Sequence, residues 1–103
     1  MLVLILVLDA ARRRRLADAC RAMSPEVKYI ESDDDAEAVF SVPLHQLDLV
    51  VLDGELLQRY GAGWLASWRR MAPKGGLLVL EHGPERDIEA LRRAVVAASN
   101  RRA

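Results

Sequence analysis

Two unbroken apolar stretches constrain this chain most: LVLILVL at residues 2–8 and LVVL at residues 49–52. A strand with one wet face alternates polar and apolar residues. A continuous Val/Ile/Leu run instead marks a strand buried on both faces, as in a parallel sheet covered by helices on each side. The first run is too short to cross a membrane, which takes about 20 apolar residues. It also lacks a leading basic stretch, and Asp9 comes too early for a signal peptide.

Four such strand-like runs are expected: Leu2 to Leu8, Val27 to Ile30, Leu47 to Leu52 and Leu77 to Leu80. Helical stretches separate them. Leu16, Cys20 and Met23 recur at i, i+4 and i+7 and predict a helix over about 12–23, stopped by Pro25. Ser32 or Asp33 is suited to cap a second helix over about 34–40, where acids favour the positive end of the dipole. Pro43 closes it. Leu57, Tyr60, Trp64, Trp68 and Met71 share a face between Glu55 and Met71. Gly61 and Gly63 each cost a helix about 1 kcal/mol against alanine, so a break is expected between two shorter helices. A last helix runs to about Ser99, with Ile88, Leu91, Val95 and Ala98 inward and Arg92, Arg93, Arg101 and Arg102 outward.

The order β-α-β-α-β-α-β-α predicts one α/β domain over 1–103: a doubly wound parallel sheet of about four strands with helices on both faces. A chain of 103 residues, 51% hydrophobic, can bury one modest core. Its 15 basic and 15 acidic residues balance, so no bulk field draws it to nucleic acid or membrane. The single cysteine, Cys20, allows no internal disulfide, in keeping with a cytoplasmic setting.

In a doubly wound sheet, sites form where the carboxyl ends of the central strands open into a crevice. Asp9 follows the first strand and Asp53 ends the third. If those strands are neighbours, the two carboxylates converge there. The simpler reading is that each ends its strand and caps the helix that follows. His45 and His82 are expected in loops. No catalytic triad and no His/Cys metal spacing is present.

In LVLILVLDA and LDLVVLDGEL the chain resembles the receiver domain of bacterial two-component response regulators, over about residues 1–98. The resemblance implies a flavodoxin-like strand order 2-1-3-4, with a fifth strand missing. It makes Asp53 phosphoacceptor-like and Asp9 one member of an acidic pair. Glu55 stands where that family offers a backbone carbonyl to a metal, so Asp9, Asp53 and Glu55 are the metal-ligand candidates.

The departures from the family pattern carry chemistry. Leu8 replaces the first acid of the pair. Glu81 or His82 stands where the family has Ser or Thr, and the family's lysine is absent. Mg²⁺ prefers several oxygen ligands and is expected to bind weakly at most. Phosphoryl transfer needs cations to neutralise developing charge, whereas Glu81 would repel the group. The resemblance thus points to a degenerate signalling domain that binds a partner protein and is neither phosphorylated nor an enzyme. Its alternative is a working receiver that accepts phosphate on Asp53. A second resemblance, of LDLVVLDG and WRRMAPKGGLLVLEHG to the latter half of a Rossmann-type methyltransferase, would make the chain a fragment without a cofactor site. The glycine-rich loop of that family has no counterpart here.

Two surface features remain. Arg12, Arg13, Arg14 and Arg15 form either a solvated face or a docking patch for an acidic partner. Trp64 and Trp68 belong either to the core or, in part, to an interface. With no fifth strand, the run 77–80 becomes an apolar sheet edge, and a homodimer is expected through it, the last helix, or both.

Overall fold

The computed structural model describes residues 1–23, 27–33, 46–71, 76–80 and 86–102. The expected helix over 34–40, His45, Glu81 and His82 lie outside the described residues. Among the described residues the elements are β1 (Leu2–Leu6), α1 (Ala10–Met23), β2 (Lys28–Ser32), β3 (Leu49–Asp53), α2 (Gly54–Tyr60), α3 (Ala62–Met71), β4 (Gly76–Leu80) and α4 (Asp87–Arg102). The four strands form one sheet in the order β2-β1-β3-β4, and every pairing is parallel. This is the doubly wound α/β arrangement expected from the apolar runs, in the flavodoxin-like order that the resemblance implied.

Register explains why the two central strands are apolar up to Asp53, the last residue of β3. Leu4 lies between Ile30 and Val50, and Ile5 between Glu31 and Val51. Both strands are flanked on each side, and successive side chains enter opposite layers. Val3, Ile5, Val7, Leu49 and Val51 pack with Leu16, Ala17 and Cys20 of α1 and with Leu91, Val95 and Ala98 of α4. Leu4, Leu6, Val50 and Leu52 pack on the other face with Leu56 of α2 and Trp68 of α3. Fully burying each such Val or Leu contributes about 1.5–3 kcal/mol, so the two central strands anchor both layers. At the amino edge Asp48 ties β1 to β3: its backbone N–H donates to Leu2 O, and its carboxylate accepts from Leu2 N at 2.8 Å.

The helix starts differ from the sequence expectation for local reasons. α1 begins at Ala10 rather than Arg12, because the Asp9 carboxylate accepts from Ala11 N and the Asp9 carbonyl accepts from Arg13 N. β3 runs through Asp53 and passes directly into α2, without an Asp-Gly turn. Asp53 keeps an extended backbone (φ −78°, ψ 131°) and caps α2 by accepting from Glu55 N. The break between α2 and α3 falls at Gly61, whose φ of 85° suits glycine and whose N–H donates to Leu57 O.

The aromatic stripe grades from core to surface. Trp68 is buried, Trp64 half-buried, and Tyr60 exposed. Trp64 meets Trp68 edge-on, 6.4 Å between ring centroids, and Tyr60 at 5.5 Å with the planes tilted. Among the described residues no helix is long and apolar enough to cross a membrane.

Candidate functional site at the carboxyl ends of β1 and β3

Because β1 and β3 are parallel neighbours, their carboxyl ends reach the same edge of the sheet. In β3 the odd-numbered side chains Leu49 and Val51 face α1 and α4. Asp53 continues that alternation, so its carboxylate enters the layer where α1 and α4 begin. It is fully buried. A carboxylate with no water around it must be satisfied by protein donors.

Those donors are in place. Asp53 Oδ2 accepts from Leu8 N at 3.2 Å, and Oδ1 accepts from Glu55 N at 3.0 Å. Arg12 Nη1 adds an ion pair to Oδ1 at 3.4 Å. The same guanidinium grips Asp87, the first residue of α4, with Nε to Oδ2 at 2.5 Å and Nη2 to Oδ1 at 2.9 Å. This is the bidentate geometry in which arginine binds carboxylate most strongly. Two buried carboxylates thus share one nearly buried guanidinium. The Arg12 pKa is pushed up, chiefly by the hydrogen bond to Asp87. Burial opposes this, and the charges of Asp87, Asp53 and Glu55 reinforce it.

The arginine block divides according to helix rotation. Arg12 enters the cluster. Arg13 turns back to donate to Val7 O at 2.9 Å. Arg14 pairs with Glu31 at 2.9 Å and with Asp18 at 3.7 Å, on the exposed side. Arg15 is exposed. A cation in the first turn of a helix opposes the dipole. The carboxylates that meet Arg12 offset that cost.

Asp53 ends β3, whereas β1 stops at Leu6 rather than Leu8 and Asp9 lies three residues beyond it on the same edge, and the two carboxylates serve different partners. Asp9 is exposed and caps α1, with Oδ1 accepting from Ala11 N at 3.2 Å. The Glu55 side chain is exposed, and its backbone N–H is committed to Asp53. Mg²⁺ would need several free oxygen ligands. Both Asp53 oxygens already accept hydrogen bonds, and a guanidinium holds the place a cation would take. These donors therefore fit a hard dication poorly. Among the described residues no three His, Cys, Asp or Glu side chains group closely enough to hold a metal ion. Leu80 pairs in register with Asp53, which brings the end of β4 beside the cluster. Glu81 and His82 come next and lie outside the described residues.

Sequence reasoning missed Asp87 and read Arg12 as surface. Position carried the signal. Both residues lie in the first turn of helices that leave the carboxyl edge of the sheet, where strand topology gathers groups from distant parts of the chain. No family model, curated protein or solved structure gives a significant match to this chain.

Proposed function

We propose that this chain is a degenerate receiver-like signalling domain of the bacterial cytoplasm. It acts by binding protein partners, and Asp53 serves as a structural relic rather than a phosphoacceptor. The strand order and the position of Asp53 at the end of β3 support the likeness to receivers. The observation that carries the loss of chemistry is the Asp53–Arg12–Asp87 cluster. A carboxylate attacks phosphorus through a free oxygen lone pair, with cations placed to neutralise the transferred group. Here Oδ1 accepts two donors, Oδ2 accepts one, and the local cation is anchored to Asp87. A second copy of the chain is the expected partner along the edge of β4 that no described strand pairs with.

The test is amide chemical-shift mapping with Mg²⁺ and beryllofluoride, with Asp53→Asn as the control. This reading expects no saturable shifts around Asp53. Saturable shifts in the wild type that vanish in Asp53→Asn would overturn it and make the chain a working receiver.

A further inference from the structure

α1 and α4 are tied together at their first turns by Arg12 and Asp87. Beside this tie a groove of about 960 Å³ opens between them and runs along α4 from Ile88 to Asn100. Its walls include Ala19, Ala22 and Met23 of α1, and Ile88, Val95 and Val96 of α4. The two alanine methyl groups are too short to close the space. Val96 is 56% exposed, more than any other large apolar side chain among the described residues. Water thus meets a surface, apolar except for Arg92, Ser99 and Asn100, that no described part of the chain covers.

The groove is also marked by charge. Arg92 is the one charged side chain in its lining among the described residues. Arg15 lies one turn before Ala19 on the same stripe of α1. Both are exposed, and neither has a hydrogen-bond or ion-pair partner among the described residues. Arg12, Arg13, Arg14 and Arg93 all have carboxylate partners.

We propose that this groove docks an amphipathic helix from a partner protein, with acidic residues beside its apolar stripe. The apolar walls accept side chains spaced i, i+3, i+7, and the guanidinium groups of Arg15 and Arg92 meet flanking carboxylates. From Ile88 to Val96 the wall is about 12 Å long, enough for two to three helical turns. A two-fold pairing of two copies, groove on groove, is disfavoured, because it sets Arg15 and Arg92 against the same cations. Nucleic acid is disfavoured by the apolar walls. The proposal rests on reading the chain as an interaction module and is independent of the chemistry at Asp53.

Two synthetic helical peptides test it. They share one Leu/Ile stripe and differ only in having Glu or Lys at the flanking positions. Each is titrated into isotope-labelled protein. The Glu peptide is expected to shift amides of residues 19–23 and 88–96 saturably, and to bind about tenfold or more tightly than the Lys peptide. The Arg15→Glu/Arg92→Glu variant is expected to reverse that preference, and Val96→Glu to weaken both peptides, each with a native circular dichroism spectrum. Absence of binding, equal binding of the two peptides, or shifts elsewhere would overturn the proposal, as would a preference unchanged by the charge swap. A self-associated species that Val96→Glu dissociates would give the groove to a second copy and overturn it too. The wild-type comparison stands even if a variant fails to fold. A beryllofluoride response at Asp53 would sink the relic reading and leave the groove untouched.

Discussion

Arg12 sits in the first turn of α1, where the helix dipole opposes it, and it is nearly buried, where desolvation opposes it. Asp53 and Asp87 outweigh both costs. Removing the cation would leave two buried carboxylates without a counter-charge, which is worse than never having built the pair. Arg12→Ala is therefore expected to cost about 2–4 kcal/mol in urea unfolding at neutral pH. Arg15→Ala, an exposed position in the same block, should stay within about 0.5 kcal/mol. Equal effects at the two positions would mean that the cluster carries no special weight. Cys20 gives the pH dependence. Burial pushes its thiol up from 9.0 to about 11. Between those values the unfolded thiol ionises while the folded one stays neutral. The stability this group contributes is thus complete below about pH 9 and is lost as pH rises toward 11. The loss approaches about 2–3 kcal/mol. Comparing wild type with Cys20→Ala across that range isolates its contribution from that of the rest of the chain. Parallel pH curves for the two proteins would contradict the assignment.

At the scale of elements, the join between α2 and α3 separates backbone effects from packing effects. The sequence shows two glycines, Gly61 and Gly63, in a region with a single apolar stripe. It does not show which one turns the chain. Gly61 does, with φ 85° and ψ −178°, a region that only glycine occupies readily. Gly63 lies inside the first turn of α3 with an ordinary helical backbone. A methyl group added at either position meets no atom within 4 Å. Sterics therefore cannot decide between them, and backbone preference must. Gly61→Ala is expected to destabilise by about 1–3 kcal/mol. Gly63→Ala is expected to stabilise by about 0.5–1 kcal/mol. Opposite signs in thermal or urea unfolding would confirm the division of labour, and two losses of similar size would refute it. The same break lets Tyr60 and Trp64 keep contact across two helices, so the stripe runs unbroken from buried Trp68 to the surface.

At the scale of the molecule, the parallel sheet was legible because Val3 to Val7 and Leu49 to Leu52 lack any polar residue. Only burial on both faces explains that pattern in strands so short. The strand order came from the resemblance to receiver domains, which sets the two most apolar runs at the centre. The site was half legible. Topology predicts that Asp53 reaches the carboxyl edge, but not what meets it there. Four consecutive arginines look alike in sequence, and about 100° of helical rotation per residue decides which one turns inward. Asp87 was hidden for a similar reason, since its partner is 75 residues away in sequence. The outer edge of β4 carries the last consequence. Among the described residues β4 pairs only with β3, and Leu77 to Val79 are half-buried although they stand at the rim. Gly76 N donates to Asp48 O, so alternation turns the N–H groups of residues 76, 78 and 80 toward β3 and those of 77 and 79 outward. Two copies meeting at this edge around a two-fold axis would pair antiparallel and continue the sheet. Light scattering coupled to size exclusion should then show a dimer at tens of micromolar. Val79→Pro removes an outward donor and leaves the β3 ladder intact, so it should yield a folded monomer. Val79→Ala trims the same side chain but keeps the donor, and should remain a dimer. A monomeric wild type, or a Val79→Pro protein that still dimerises, would show that the edge of β4 is not where copies of this chain meet.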